Sequence, residues 1–340
     1  MLKTLVFVTL SAALLLASCA TSVDNPFHLE EAPSPVAGQY VADINNCPAP
    51  PPGQGVQLTV GPFNVPRMTE SQKNFYMKLP VDHDVMVDRI QIFHPQGSHH
   101  VSFFKCDHLD VPDHVEDTFD AIAYQDYSLV TGSQSGDIDW KLPDGVGEPF
   151  KAHEQLLIQT HFVNAITQVV PNGQAWCKIN LWFAPSSANT TTLGSYFGIN
   201  PNLNIPPGST AACSKDVVLS NFGVNQDVKI IAMTGHFHSR GRTFTVNRLN
   251  ADGSLGEEIY RSDDWNEPPF KMYDPPIILH KGENLRYTST FVNNTNITIG
   301  FGPHSETQEH SNLFMYFTPG PANGQPVNDV YASGTTQALQ

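Results

Sequence analysis

The sequence predicts an all-β protein built as two β-sandwich domains in tandem, and three observations lead there. Short alternating or apolar runs follow one another, among them "VQLTV", "MVDRIQIF", "HHVSFFKC", "EQLLIQTHFV", "CKINLWFA", "VKIIAMTGHFH", "RTFTVNRL", "NLRYTSTFV" and "SNLFMYFT". Alternation turns every second side chain to one face, which is the pattern of a half-buried strand and not of a helix. Pro, Gly and Asn punctuate these runs at intervals of roughly ten residues, as sandwich turns do. More than ten strands over about 275 residues fit two sandwiches better than one. The polar stretch "APSSANTTTL" at 184–193 lies between halves of similar size, so the domains are expected at 46–186 and 187–320.

The flanks read differently. "MLKTLVFVTLSAALLLASCATS" places Lys3 before an apolar run from Leu5 to Leu16 and ends it at Leu16-Ala17-Ser18-Cys19. This resembles a bacterial lipoprotein signal over 1–19, with Cys19 as the lipidated first residue of the mature chain. The alternative is a plain secretory signal cut near Ala20 or Thr21. Ala20 after the cysteine favours the outer membrane, facing the periplasm or the cell surface. Residues 20–45, with "EEAPSPVAGQ", are expected as a flexible tether, and 321–340 as a loose tail. No other apolar run approaches the ~20 residues that span a bilayer, so the lipid is the expected membrane contact.

Lys and Arg number 18 against 33 Asp and Glu, a formal charge of −15. That balance argues against nucleic acid and against adsorption to anionic lipid. Cys47, Cys106, Cys177 and Cys213 remain after the leader. In an oxidising compartment an even number suggests disulfides, with three pairings open.

The chain carries 14 histidines. His236 and His238 in "MTGHFHSRGRTFTV" would share one face of a strand, close enough to grip one ion. A bare H-x-H is common, more often without a metal than with one, and proves nothing alone. His99 and His100 would face opposite ways on a regular strand and meet on one ion only at a strand end or bulge. His161 lies in an apolar run and His310 at the start of another. His28, His83, His94, His108, His114, His153, His280 and His304 fall in linkers, turns or an Asp-rich loop and are expected to be solvated. Arg240 and Arg242 are expected at a solvated strand end.

Together these segments resemble the catalytic core of the copper type II, ascorbate-dependent monooxygenases, the family of peptidylglycine alpha-hydroxylating and dopamine beta-monooxygenases. "MKLPVDHDVMVDRIQIFHPQGSHHVSFFKC", "WKLPDGVGEPFKAHEQLLIQTHF", "NIPPG", "GHFHSRGRTFTV", "KGENLRYTSTFVNNT" and "QEHSNLFMYF" match its segments in order, over about residues 55–318. The resemblance implies jelly-roll-like sandwiches with one copper each, facing one another across a solvent-filled cleft. His99, His100 and His161 match the ligands of the electron-supplying copper. His236 and His238 match two ligands of the oxygen- and substrate-binding copper, and His310 stands where the family has a methionine. Met315 cannot replace it, because strand parity puts Leu313, Met315 and Phe317 on the apolar face. A third imidazole suits Cu(II) and Zn(II) as well as Cu(I).

Asn312 is retained among the family's substrate residues. Thr234 and Phe314 occupy positions where peptide-hydroxylating members carry an Arg and a Tyr that anchor a peptide carboxylate. C-terminal glycine peptides are therefore not the expected substrates. The resemblance also implies a Cys47–Cys177 bridge, with Cys106 and Cys213 paired together or free. The expected function is hydroxylation of a C–H bond in a small organic substrate, using O2, two copper ions and ascorbate or another one-electron donor. The alternative is a non-enzymatic copper-binding or copper-relay lipoprotein.

Overall fold

The computed structural model describes residues 43–339 apart from 107, 120–125, 134–135, 165–169, 186–189, 266–267, 303–306, 322–325 and 330–333. The leader, Cys19, nearly all of the tether, His28 and His304 lie outside the described residues.

Alternation in the sequence becomes alternation in burial. In Asn284–Val292, Leu285, Tyr287, Ser289 and Phe291 are buried while the residues between them are half-exposed. Gln155–Asn164 departs from this, with its first six residues all buried, because both faces are covered: Leu156 and Ile158 enter one apolar cluster and Leu157 another. The helical elements among the described residues are the short turns Ile44–Asn46, Pro171–Gly173 and Leu219–Phe222. No helix there is long and apolar enough to cross a membrane.

Among the described residues the strands form five sheets. The first runs Gly55–Asn64, Gln174–Phe183, Val85–Phe93, Val146–Phe150 and Thr191–Thr192, with Ile138–Lys141 also on Val85–Phe93. The second runs His114–Asp117, Thr69–Lys78, Gln155–Asn164, Ser98–Cys106 and Ser128–Ser133. The third runs Lys271–Leu279, Val228–His236, Asn312–Thr318, Gly194–Ile199 and Val327–Asp329, and the fourth Leu255–Ser262, Gly241–Leu249, Asn284–Val292, Thr210–Val217 and Thr335–Leu339. Asn204–Ile205, Ile299–Phe301 and Gln308–Glu309 make a small fifth.

The all-β class is as expected; the arrangement is not two plain sandwiches side by side. Five sheets are present, and the apolar cores do not respect a clean division. One core is made by the first two sheets, with Leu58, Ile90, Phe103, Trp140, Ile158 and Ile179 among its residues. It also takes in Ile231, Ala232 and Tyr316 of the third sheet. A second core lies among the remaining strands, around Ile230, Met233, Phe244, Tyr287, Met315 and Phe317. Tyr316 packs on Trp140 at 4.7 Å between ring centroids and on Phe270 at 5.8 Å. Burying a ring of that size contributes roughly 1.5–3 kcal/mol, and the contact with Trp140 makes part of it across the two halves. Thr191–Thr192, expected in the second half, pairs in parallel with Val146 and Gly147 of the first.

The tail also departs from expectation. Residues 321–340 supply two strands: Val327–Asp329 pairs with Gly194–Ile199, and Thr335–Leu339 with Thr210–Val217. A buried ion pair holds the first of them. Lys215 Nζ lies 2.9 Å from Asp329 Oδ1, with side chains 1% and 3% exposed. Lys215 also donates to the carbonyls of Ile199 and Asp329, and Tyr196 Oη donates to Asp329 Oδ2 at 2.6 Å. Breaking such a pair from one side leaves an uncompensated buried charge. Lys215→Met is expected to cost about 3–5 kcal/mol in chemical denaturation and to expose the chain beyond residue 326 to limited proteolysis. Unchanged stability and an unchanged digest would contradict this account of the tail.

Candidate metal centre

The two histidine groups assemble where strand ladders end or slip. Between Ser98 and His100 the pairing of Ser98–Cys106 with Gln155–Asn164 shifts register. That irregularity lets two adjacent histidines serve one point. His100 stands opposite His161 in the same ladder. Ring centroids of His99, His100 and His161 are 4.9–5.4 Å apart, and one ligand atom from each lies within 4.8 Å of the others.

The second group closes across the third sheet. His236 ends Val228–His236, and His238 follows in the turn rather than in the strand itself. Phe237 between them is buried in the core, so the alternation continues past the last paired residue. The same ring explains the Arg-Gly-Arg that follows: a Cβ at Gly241 would stand 1.9 Å from Phe237 Cδ2. A Cβ at Gly235 would meet Phe244 Cδ1 at 2.5 Å, so glycine there too is a requirement of packing. His310 lies between Gln308–Glu309 and Asn312–Thr318, with its Nδ1 3.1 Å from His236 Nε2. Its centroid is 4.3 Å from that of His238. Again one ligand atom from each histidine falls within 4.8 Å of the others.

Hydrogen bonds to the outer ring nitrogens orient these imidazoles. His100 Nε2 donates to Gln159 Oε1 at 3.1 Å, and Gln159 Nε2 donates in turn to Asn74 Oδ1 at 3.1 Å. His161 Nε2 donates to Glu70 Oε2 at 3.0 Å. His238 Nδ1 donates to the Gln308 carbonyl at 3.2 Å. In each case the other nitrogen keeps its lone pair. His99 Nδ1 and His100 Nδ1 face one another at 3.2 Å, an approach that a proton or a cation between them stabilises.

Desolvation keeps the rings neutral. It is the largest cause at five of them, lowering His100 and His310 to about 3, and His161, His236 and His238 below the ordinary value, while His99 stands exposed at the edge of its group. Neutral imidazole is the ligand form, so the donor set fits a borderline divalent or monovalent transition metal. The two groups act on one another. Positive charge at His238 bears on His99, and charge at His99 and His100 bears on His236. The triads therefore stand within electrostatic reach. Glu309 beside His310 is fully buried, and burial pushes its carboxyl up to about 7 against the backbone N–H bonds of Arg240 and His238.

Beside the second group, Thr234, Phe314 and Phe197 are partners across neighbouring strands, as are His236 and Asn312. All share the sheet face opposite Leu313, Met315 and Phe317, which are buried in the second core as parity required. Phe314 stacks on Phe197 at 4.7 Å and 10°. Asn312 is 5% exposed, and its Oδ1 has no partner among the described residues.

The remaining histidines divide. His83, His108, His114, His153 and His280 are exposed as expected. His94 is not: it is fully buried, with ring nitrogens 3.2 Å from Pro95 O and from Ser133 Oγ, and desolvation lowers it to about 4. Arg242 is exposed and donates to the Ser239 and Gly241 carbonyls. Arg240 is half-buried, its backbone N–H bound by Glu309. The Cys47–Cys177 bridge is absent. None of the four described cysteines is in a disulfide, and all are buried. Burial raises Cys47 to about 11 and Cys177 further. Cys106 and Cys213 do not pair with each other either; Cys213 Sγ contacts Thr336 Oγ1 at 3.4 Å and Cys106 Sγ lies 3.5 Å from His108 Nδ1.

Gln159, Glu70 and Glu309 escaped the sequence reading. Gln159 sits two residues before His161 and so on its face, a signal that was present; Glu70 reaches His161 from a neighbouring strand, and nothing local marks it.

No family model matches the chain, and no curated protein matches it. Among solved structures, the infectious bursal disease virus VP2 subviral particle is 9% identical over 84% of this chain and 76% of that one, with a TM-score of 0.19. A peptide-N(4)-(N-acetyl-beta-D-glucosaminyl) asparagine amidase is 11% identical over 88% and 97%, with a TM-score of 0.26. Neither likeness carries an argument about fold or function.

Acid should unfold the metal-free chain through these rings. In the unfolded state an imidazole binds its proton near pH 6.5; folded, His100 and His310 do so near 3. Unfolding takes up protons in that window, so stability is full above about pH 6.5 and falls as pH drops towards 4. Glu309 runs the other way, as one raised carboxyl against several depressed rings. Urea midpoints measured from pH 7 to 4.5 should fall steadily, and His310→Gln should reduce the slope by about one proton. A flat profile would contradict the neutral-ring account.

Proposed function

We propose that the chain is an exported, lipid-anchored monooxygenase with two copper sites, hydroxylating a C–H bond of a small organic substrate with O2 and an external reductant such as ascorbate. The observation that supports it best is the convergence of six histidines from distant segments into two three-imidazole groups, in the order the family resemblance anticipates. The two cores then correspond to the family's two copper domains. His99, His100 and His161 would hold the ion that relays an electron; His236, His238 and His310 the ion beside substrate. Bound copper would supply the one-electron and oxygen chemistry that no side chain here provides. The net reaction, R–H + O2 + 2e⁻ + 2H⁺ → R–OH + H2O, balances only with that reductant.

The protein's own share is orientation and exclusion. Gln159, Glu70 and the Gln308 carbonyl fix three ligand rings in one tautomer. The Phe197–Phe314 pair and Thr234 offer an uncharged face beside His236, and the free Asn312 Oδ1 accepts a hydrogen bond from a substrate donor. An uncharged aromatic or apolar molecule with one hydroxyl or amine fits that face better than a carboxylate does.

A second reading is a copper-binding or copper-relay lipoprotein. His310 in place of a thioether favours it, since three imidazoles hold Cu(II) or Zn(II) without need of redox cycling. Metal content by mass spectrometry after loading with copper against competing zinc, combined with oxygen uptake, separates the two. The monooxygenase reading expects two coppers per chain, loss of one in each of His161→Ala and His310→Ala, and reductant-driven uptake abolished in both. Zinc in the second site, or copper without uptake on any uncharged substrate, would move the assignment to the binding protein.

A further inference from the structure

Glu309 touches the second histidine group without belonging to it. Its side chain is 0% exposed. Oε2 accepts the backbone N–H of His238 at 2.8 Å, and Oε1 accepts that of Arg240 at 2.9 Å. One carboxylate thus ties the turn carrying His238 to the strand end carrying His310. The same segment is held from other sides. The Gln308 carbonyl accepts from the His238 ring, and the Glu309 carbonyl accepts the Gly302 N–H at 3.2 Å. Ser311 Oγ lies 2.7 Å from Ser289 Oγ, both side chains fully buried.

A buried carboxylate is costly to keep ionised, and backbone N–H groups with the nearby Arg240 charge offset only part of that cost. The turn it holds carries His238, and His310 follows it in the chain. A cation placed among them would be attracted to the carboxylate in a low-dielectric setting, and a doubly charged cation more than a singly charged one. We propose that Glu309 is a positioning residue of the second triad: it holds the His238 turn against His310, and its charge biases the site toward a divalent ion over a monovalent one. This rests on the reading of that triad as a metal site, and holds for copper and zinc alike.

The test uses the full chain and measures affinities for Zn(II), Cu(II) and Cu(I) with competing chelators, for the wild type, Glu309→Gln and Glu309→Asp. Glutamine keeps the shape but turns an NH2 toward an N–H and removes the charge. Second-site affinity for Zn(II) and Cu(II) is expected to fall about 10–100-fold, with a smaller loss for Cu(I), while the first site is unchanged and reports that the fold is intact. Aspartate keeps the charge but falls one methylene short; it should weaken both oxidation states together and leave their ratio as in the wild type. Unchanged affinities in Glu309→Gln, equal losses for Cu(I) and Cu(II) there, or a ratio in Glu309→Asp that shifts as in the glutamine variant would each overturn the inference. A wild-type chain that takes up no ion at the second triad would overturn the metal reading and this inference together.

Discussion

Strand ladders are the constraint on which the histidine groups depend. A paired strand leaves its side chains no freedom of register, so a ligand carried on one is placed by hydrogen bonds along the whole strand. His161 and His236 are placed this way. The other ligands need the ladder to fail at the right residue. The slip between Ser98 and His100 brings adjacent histidines together, and the gap between Gln308–Glu309 and Asn312–Thr318 leaves His310 free to turn toward His236.

Asn312–Thr318 joins the site to the body. Its Leu313, Met315 and Phe317 fill the second core, while Tyr316 on the opposite face enters the first. Phe314 and Asn312 lie on that same opposite face, beside His236. The strand that forms the uncharged face near the second triad is therefore the one that pins the two cores together. Displacing one would displace the other, because Tyr316 is only two residues from Phe314.

Buried charge is handled in two ways. Lys105 and Glu148 pair at 2.5 Å within the first half, and Lys215 and Asp329 in the second, each charge offset by an opposite one and each lysine also by a backbone carbonyl. Around the triads the groups are instead left neutral, or, at Glu309, bonded to backbone N–H groups. Neutral rings with one nitrogen already engaged are prepared for an ion in a way that paired charges are not. The contrast separates the ion pairs, which pin strands together, from the places where chemistry is expected.

Much of this was legible in the sequence. Alternation determined the all-β class and put Met315 in the core, since parity is a local property of a strand. The histidines themselves were visible as residues, and adjacency in the chain limited which of them could meet and under what break in the ladder. The sequence also misled where burial is not local. His94 reads as a turn residue beside a proline, yet it is sealed in by Ser133 and Phe162 from other strands. The tail, rich in Pro, Gly and Asn, reads as loose, but Lys215 supplies from more than a hundred residues away the charge that orders it. Only the tertiary structure decided that Glu70 and Gln159 orient the first group, that Glu309 ties the second, and that Tyr316 locks the two cores. Each of these depends on which strands lie side by side, and pairing between distant strands is set by the packing of the whole molecule, not by any stretch of chain short enough to read.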